Sequence, residues 1–361
     1  MPTNTDLSAE LLEHVRAALA ERHPLRIRGG DSKAFYGNPV DGRELDVRGH
    51  RGVVNYDPTE LVITARCGTP LAEIRTLLTD AGQMLPFEPP DFTGTATIGG
   101  AVSTGLSGSR RPWSGSARDL ILGVRLINGH GDHDRYGGEV MKNVAGYDVS
   151  RLVTGALGTL GIITEVSMKV LPAPRLEQTR VIAIDAVTAM RQVEHGFRLG
   201  YPISGASWHD GLLRLRLSGS ESAVIAAGEA IGGDLLDAAD QWWTDLVNQR
   251  LPWFQDSTDR PLWRIALPPL APELDLGGAE WHDWNGQLRW YRGPCDCGPL
   301  RERVRTLGGH ATLFRTAEAE EAADVAVFDG LDPITKRLNE RLKAAFDPTG
   351  IFNPGRMYTD I

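Results

Sequence analysis

Apolar residues recur along the chain at two spacings that separate helices from strands. Leu11, Val15 and Leu19 repeat at i, i+4 and i+8 after Ser8, which predicts a first helix capped by Ser8 and ending before residue 24. The same spacing predicts helices near residues 69–82 and 333–346. Alternation of two sets of side chains predicts a strand at 162–170, and shorter apolar runs predict strands at 25–28, 61–66 and 120–128.

The second half of the chain carries a different order of elements. Residues 172–174, Pro-Ala-Pro, mark a domain boundary. After them the pattern predicts a strand at 180–184, a helix at 185–199, strands at 204–209 and 212–218, a helix at 220–231 and a strand at 312–315. This β-α-β-β-α-β order is typical of a ferredoxin-like layer, with an insertion at 232–308.

Between residues 86 and 123 the sequence consists mostly of turn residues with little periodicity. So long an irregular stretch inside a compact domain favours a functional role. Glycine is concentrated there, in ATIGG at 96–100, and again in GALGTLGIIT at 155–164. Because glycine has no Cβ, it lets backbone N–H groups approach an anion closely, so a nucleotide cofactor is our first hypothesis.

The dinucleotide fingerprint G-x-G-x-x-G does not describe these loops. Gly155, Gly158 and Gly161 are spaced G-x-x-G-x-x-G, and they lead into a predicted strand instead of a helix. Two glycine-rich turns in an ordinary α+β protein remain the alternative for either loop taken alone.

A third segment, RGGDSK at 28–33, has the chemistry that a pyrophosphate needs. Its two glycines present N–H donors, Ser32 adds a hydroxyl, and Arg28 and Lys33 add positive charge. Asp31 is discordant, because a carboxylate would repel phosphate unless it faces Arg28, Lys33 or a ribose hydroxyl.

Length and charge narrow the class of protein. A chain of 361 residues suits two domains, and 41 glycines are about 11 per cent of it against a typical 7. The net charge of −9 argues against nucleic acid or an anionic membrane surface as the main partner. No apolar run approaches the length of a membrane span and the N-terminus lacks a signal-peptide core, so we expect a soluble, cytoplasmic protein.

The residues that could bind metal are sparse. Cys67, Cys295 and Cys297 are too few and too badly spaced for an iron–sulfur cluster or structural zinc, and we expect inert thiols. The run His-Gly-Asp-His-Asp at 130–134 is expected to be a solvated turn, so no metal site is predicted. Seven of nine tryptophans lie between residues 242 and 290; we favour a bulky core there, with a partner surface as the alternative.

Four motifs then stand in a fixed order: RGGDSK, TATIGG, VMKNVAGYDVSRLVTGALGTLGIITEVSMKVLP and FDPTGIFNPGRM. Together with GGHATLFR at 308–315, they resemble the vanillyl-alcohol-oxidase-type, or PCMH-type, FAD-binding proteins and, among these, the FAD-binding E subunits of bacterial glycolate oxidases. The resemblance implies an α+β chain with a two-subdomain FAD-binding domain at 1–172, divided near 85–90. It further implies a ferredoxin-like cap at 175–330 and a C-terminal helix and loop at 331–361 that pack on the FAD domain.

The resemblance also implies which residues bind the cofactor. FAD would lie between the two subdomains, with its pyrophosphate held by Arg28, Gly29, Gly30, Asp31, Ser32, Lys33, Thr97, Ile98, Gly99 and Gly100. Thr104, Gly105 and Gly108 would line the isoalloxazine side, Gly158, Gly161 and Ile163 would contact FAD through their backbones, and Asn353 would be a further contact. Residues 118–119 and 142–143 would brace these loops. No His or Cys stands at 29–33 or 96–105, so we expect non-covalent FAD.

Three departures from the family pattern bear on function. Asp31 replaces a more usual glycine, and Leu157 stands where the catalytic sister subunit has Glu. The H-x-G-D-G-N-x-H-like motif of hydroxy-acid dehydrogenases does not occur between 175 and 333, where no histidine can be nominated as a base. Arg264, Arg289 and Arg315 could bind a carboxylate, but ion pairing is the expected role.

We therefore expect a subunit of a glycolate oxidase complex. A sister flavoprotein would oxidise glycolate to glyoxylate and an iron–sulfur subunit would accept the electrons, while this chain carries electrons or supports assembly. Its partners would also be the means by which it reaches the inner membrane. The alternatives are a self-sufficient FAD-dependent oxidase or dehydrogenase of another hydroxyl substrate, and an assembly scaffold with structural FAD.

Overall fold

The computed structural model describes residues 4–138, 148–256, 259–293, 297–317 and 325–361, in two compact units. Unit 1 comprises Met1–Ser107, Gly115–Ala173 and Gly330–Ile361, and unit 2 comprises Gly108–Ser114 and Pro174–Asp329. The short segment Gly108–Ser114 thus belongs to unit 2, although it lies within the range 1–172 predicted for the FAD-binding domain. Residues 142, 143 and 295 lie outside the described residues.

Unit 1 combines small sheets with helices, numbered here along the whole chain. Its strands are β1 (Leu25–Arg28), β2 (Arg43–Asp46), β3 (Val53–Asp57), β4 (Val62–Arg66), β5 (Gln83–Met84), β6 (Ile121–Ile127), β7 (His133–Gly137), β8 (Ile162–Lys169) and β9 (Leu171–Pro172). Its helices are α1 (Ser8–Glu21), α2 (Leu71–Asp80), α3 (Ile98–Thr104), α5 (Ala117–Leu120), α6 (Val149–Leu152) and α12 (Pro333–Phe346).

The largest sheet of unit 1 has the order β3-β4-β8-β6-β7, with antiparallel neighbours. Strand β8 lies in its centre, which is why apolar side chains on both of its faces are buried. Strands β1 and β2 form a separate parallel pair. A core cluster that includes Leu11, Leu25 and Phe352 joins α1, β1 and the C-terminal segment.

One prediction for unit 1 is wrong in detail and another is incomplete. The first helix forms as predicted, but the side chain of Asp6, not of Ser8, satisfies its first turn: the carboxylate accepts hydrogen bonds from the Ser8 amide at 2.9 Å and hydroxyl at 2.6 Å. The stretch 86–123 is largely irregular, as predicted, but it also contains α3 and α5, which apolar spacing did not predict. Two glycines in the first turn of α3 lower its helix propensity. With only seven residues, the helix also shows no apolar repeat from which it could be predicted.

Unit 2 is built around one sheet. Its strands are β10 (Leu176–Ala183), β11 (Ile203–His209), β12 (Leu212–Gly219), β13 (Asp234–Leu235), β14 (Leu262–Ala266), β15 (Ala279–Asp283), β16 (Leu288–Arg292) and β17 (His310–Arg315). Its helices are α4 (Arg111–Ser114), α7 (Ala186–Arg198), α8 (Glu221–Ile231), α9 (Ala239–Val247), α10 (Pro252–Gln255) and α11 (Cys297–Thr306).

The sheet of unit 2 has the order β13-β10-β12-β11-β15-β16-β14-β17. The predicted β-α-β-β-α-β series is present as β10 to β13, but its last strand is β13 and not the strand at 312–315. That strand, β17, pairs with β14 at the opposite edge. Residues 232–308 are therefore not a plain insertion: β14, β15 and β16 lie among them, and with β17 they repeat the strand order of the first half. A two-residue strand such as β13 is too short to leave a periodic signal.

The tryptophan-rich region packs inside unit 2. Trp243, Trp263, Trp281, Trp284 and Trp290 are at most 8 % exposed. The ring of Trp281 is stacked on that of His209 with centroids 4.4 Å apart. The bulky-core interpretation is confirmed for these five side chains.

Candidate cofactor site

The segment 28–33 begins at the last residue of β1 and turns out of the β1–β2 pair. Asp31 has a φ of 58°, in the left-handed region. Within the described ranges, no group accepts a hydrogen bond from the backbone amides of Gly29, Gly30, Asp31 or Ser32. Backbone donors in folded proteins are normally satisfied, so four successive amides without a protein acceptor favour an anionic ligand.

Arg28 and Asp31, two charged residues of this segment, form ion pairs within the protein. Arg28 donates to Glu44 at 2.7 Å, and its Nε lies 3.5 Å from the Asp31 carboxylate. Asp31 therefore faces Arg28, one of the three partners foreseen for it. Because the carboxylates of Glu44 and Asp31 lie beside Arg28, they weaken the attraction of its guanidinium for a phosphate.

Lys33 is buried, with 7 % exposure. Its ammonium donates to the Ser32 hydroxyl at 3.2 Å and lies 5.9 Å from the ring centroid of Phe92. Burial lowers the pKa of Lys33 to about 8, against the opposing effect of Asp91. An anion beside this ammonium would stabilise its charged form and raise that pKa again.

The second segment, TATIGG at 95–100, leads into helix α3, which begins at Ile98. Thr97 caps the helix, accepting from the Gly100 amide at 3.3 Å. The Ile98 amide donates to Thr69 O at 3.0 Å, and the Gly99 amide donates to Cys67 O at 2.9 Å. The amides of 98–100 therefore all have acceptors inside the protein, so they are less available to a ligand than those of 29–32; that residues 97–100 hold the pyrophosphate stays a prediction.

The first two segments nevertheless touch. A Cβ on Gly30 would lie 1.7 Å from Thr95 O, and one on Gly29 would lie 3.0 Å from Thr97 Oγ1. The Thr95 hydroxyl donates to Gly30 O at 2.5 Å. Glycine is required at position 30 because two backbones pass at contact distance. Thr95, the first residue of TATIGG but not one of the predicted contacts, links them by its hydrogen bond.

The third segment, 155–161, lies along the end of α3. The Gly155 amide donates to Val102 O at 2.9 Å and the Leu157 amide donates to Ser103 O at 2.8 Å. Gly105 ends α3 with a φ of 63°, and a Cβ there would lie 3.1 Å from Gly155 Cα. The glycine segments 96–105 and 155–161 therefore form one surface, as the hypothesis of a shared cofactor groove requires.

Three glycines and one leucine of this segment have left-handed backbone conformations, which favour glycine. Gly155, Gly158 and Gly161 have φ values of 83°, 73° and 145°, and Leu157 has a φ of 52°. A Cβ on Gly161 would lie 2.5 Å from Ile127 O.

Ile163, in β8, is buried opposite Leu126 of β6.

Asn353 connects the third segment to the first. Its Oδ1 accepts from the Ile27 amide at 2.8 Å, and its Nδ2 donates to Leu157 O at 2.7 Å. Its own amide donates to Leu25 O at 3.0 Å. The C-terminal segment thereby joins the end of β1 to the 155–161 loop.

Other predicted residues have different surroundings. Gly108 belongs to unit 2, where its carbonyl accepts from Trp284 Nε1 at 2.9 Å. The Thr104 hydroxyl bonds back to Gly100 O at 2.9 Å. Asp119 accepts from the Ser116 amide at 2.9 Å and so completes a capping box at α5, while Arg118 is exposed.

The three arginines considered for carboxylate binding are in unit 2. Arg289 is fully buried, donates to Pro272 O at 2.7 Å and lies 3.5 Å from Glu280, which is a structural role. Arg315 donates to Gln249 Oε1 at 3.2 Å, and Arg264 lies 5.2 Å from the Trp284 ring centroid.

His130 and His133 bond to separate partners. His130 Nε2 lies 3.0 Å from Ala345 O, and His133 Nε2 lies 2.8 Å from Thr164 Oγ1. In the part of the chain that the structure describes, no three His, Cys, Asp or Glu side chains form a group that could hold a metal ion. Nor does any helix there have the length and apolar character needed to cross a membrane.

Comparison with protein families and curated proteins agrees with this geometry. Residues 5–136 match the family model described as FAD binding domain. The chain is 49 % identical to glycolate oxidase subunit GlcE of Escherichia coli (strain K12) over 359 residues, 99 % of each protein. It is 30 % identical to glycolate oxidase subunit GlcD of Bacillus subtilis (strain 168) over 193 residues, 53 % of this chain and 40 % of that protein.

Comparison with solved structures shows the fold. p-Cresol methylhydroxylase with substrate bound matches with a TM-score of 0.71 at 14 % identity, over 96 % of this chain and 86 % of that one. An alkyldihydroxyacetonephosphate synthase matches with a TM-score of 0.67 at 16 % identity, over 96 % of this chain and 75 % of that one. The overall α+β architecture is therefore shared with these proteins.

Proposed function

Because this chain belongs to the family of the glycolate oxidase subunit GlcE, we propose that it is the FAD-binding subunit of a glycolate oxidase complex. The 49 % identity over 99 % of both proteins carries the assignment. The complex is an FAD-dependent 2-hydroxy-acid oxidoreductase that converts glycolate to glyoxylate.

The residues present fit FAD. Four successive amides at 29–32 lack acceptors among the described residues, and the buried Lys33 ammonium lies in the same segment. Glycines at 30, 99, 158 and 161 remove side chains that would collide with neighbouring atoms. When bound, FAD would supply the redox chemistry, because its flavin ring can take up and pass on electrons. The chain's own residues bind the pyrophosphate through the 29–32 amides and shape the groove with the 155–161 loop.

The proposal includes non-covalent attachment of FAD. Cys67 lies beneath α3, but it is 2 % exposed and burial raises the pKa of its thiol to about 12, so the nucleophilic thiolate is absent at neutral pH. His50 is fully buried and its Nδ1 accepts from the Leu7 amide at 2.9 Å. Acid precipitation of the flavoprotein should therefore release all flavin into the supernatant, and flavin retained in the pellet would contradict this part.

We also propose two partners, a sister flavoprotein and an iron–sulfur subunit. The sequence between 175 and 333 lacks the H-x-G-D-G-N-x-H-like motif of self-sufficient hydroxy-acid dehydrogenases, which supports a division of labour. The chain acts in the cytoplasm and reaches the inner membrane only through these partners.

The decisive experiment is co-purification of the tagged chain from its native host, with flavin content, iron content and the absorbance spectrum measured together. Glycolate should reduce a dye rapidly with the complex and not with the purified, FAD-loaded chain. Substantial turnover by the chain alone would favour a self-sufficient enzyme. If the flavin of this subunit stays oxidised in a complex that turns over, FAD is structural and the chain is a scaffold.

A further inference from the structure

We propose that Asn353 is a positioning residue, which orients the peptide between Leu157 and Gly158 so that the Gly158 N–H is presented to FAD. This inference rests on the proposed FAD-binding function. The resemblance implied a direct cofactor contact for Asn353, and the structure assigns it a different task.

Both ends of the Asn353 side-chain amide are engaged within unit 1. Its oxygen accepts from the Ile27 amide at 2.8 Å and its nitrogen donates to Leu157 O at 2.7 Å. The residue is only 6 % exposed. A side chain held in this way acts through the backbone that it bonds.

The bond to Leu157 O determines where the Gly158 N–H points. In a trans peptide the C=O and N–H groups of one plane point in opposite directions. Because Asn353 holds the Leu157 carbonyl, the N–H of Gly158 faces away from Asn353. Among the described residues no group accepts a hydrogen bond from that N–H, which leaves it for a ligand.

The orientation of the Leu157–Gly158 peptide depends on the hydrogen bond from Asn353. Leu157 and Gly158 both have left-handed φ values, 52° and 73°, and Leu157 carries a Cβ that disfavours this region. Glycine at 158 also leaves space for the Asn353 side chain, since a Cβ there would lie 2.8 Å from Asn353 Nδ2. Without the bond from Asn353, the peptide could rotate, which would change ψ of Leu157 and φ of Gly158 and withdraw the N–H; glycine at 158 tolerates such a change of φ.

The C-terminal segment anchors Asn353 on both sides of this contact. The Asn353 amide donates to Leu25 O at 3.0 Å. Lys343 Nζ donates to Phe352 O at 3.0 Å and to Thr159 O at 2.7 Å. The anchor therefore spans both β1 and the loop that contains Gly158.

Two variants and one matched control test the proposal. Asn353→Gly removes both side-chain bonds and keeps the backbone, because Asn353 has a φ of 40° that glycine adopts freely. Asn353→Asp keeps an acceptor for Ile27 but places an oxygen against Leu157 O. Asn285→Gly in unit 2 is the control: Asn285 has a φ of 55° and donates to Met190 O at 3.2 Å.

Three measurements are made on the full chain: the FAD dissociation constant by flavin fluorescence, hydrogen exchange of residues 155–161 without FAD, and the thermal midpoint without FAD. Both Asn353 variants should weaken FAD binding about tenfold or more, the equivalent of one well-oriented hydrogen bond, and should speed exchange in 155–161. Asn285→Gly should change neither, even if it lowers the midpoint as much.

The outcomes separate this inference from the proposed function. A wild-type chain that binds no FAD would overturn both. If the wild type binds FAD and the Asn353 variants bind it equally well, the positioning role is overturned whatever the exchange shows. Unchanged exchange in 155–161 would equally overturn it, because the peptide would then hold its orientation without Asn353.

Discussion

Gly30→Ala tests the claim that the 29–33 loop must pass at contact distance from the start of α3. Gly30 has no left-handed φ, so alanine is compatible with its backbone conformation and the effect is purely steric. The new Cβ would lie 1.7 Å from Thr95 O and 2.6 Å from Thr95 C. Neither atom belongs to a flexible side chain, so the backbones themselves must separate.

The size of the effect follows from these distances. A Cβ essentially never lies under 3.0 Å from another heavy atom, so the two backbones must move apart by 3.0 − 1.7, or about 1.3 Å. That movement also breaks the bond from Thr95 Oγ1 to Gly30 O, now 2.5 Å. Overpacking of this kind costs about 1–3 kcal/mol. Displacement of the 29–32 amides should weaken FAD binding by a similar amount, roughly tenfold to a hundredfold.

The assay is a titration of the FAD-free chain with FAD, followed by flavin fluorescence, beside a thermal unfolding curve. Gly330→Ala is the matched control, because it is the same change in unit 1 and a Cβ there would meet no atom of the described residues within 4 Å. If Gly30→Ala binds FAD as tightly as Gly330→Ala does, the 29–33 loop is not the pyrophosphate site and the reasoning is refuted.

Three further predictions follow from buried groups of unit 1. Burial lowers the pKa of His50 from 6.5 to about 4, so the neutral imidazole stabilises the fold fully above pH 6.5 and this contribution is lost as the pH falls towards 4. Urea unfolding should show that the free energy of unfolding decreases by about 2–3 kcal/mol over this range, and His50→Gln should remove that decrease. The same pH dependence of the unfolding free energy in the variant would contradict the prediction. Lys343→Met should cost about 3 kcal/mol, because it leaves the buried Asp347 carboxylate without its 2.9 Å ammonium partner, and adding Asp347→Asn should restore part of that loss in the same unfolding assay. Cys67 should resist iodoacetamide in the folded chain and react after denaturation, as peptide mass spectrometry would show; rapid labelling of native protein would disprove its burial.

Local signals in the sequence were sufficient for much of the fold. The helices α2, α7, α8 and α12 and the strands β1, β8 and β12 lie where the sequence pattern predicts them. Helices α2, α7 and α8 each bury one apolar face, whereas α12 has no fully buried residue and leaves Ile334 and Leu338 exposed. Helix α3 and strand β13 were missed, because a short helix with two glycines and a two-residue strand contain too few residues to show a period. Partners far along the chain were also invisible, as with β17, which pairs with β14 at the far edge of the sheet.

The same division holds within the cofactor site. Residue type alone predicts the site at its three glycine segments, since a missing Cβ is a property of the residue wherever it lies. Which backbone donors remain for a ligand depends on acceptors distant in sequence: Thr69 and Cys67 occupy the amides of 98 and 99, while none among the described residues occupies those of 29–32. Asn353 illustrates the limit, because its task follows from contacts with Ile27 and Leu157, more than 190 positions away, which only folding brings within hydrogen-bond distance.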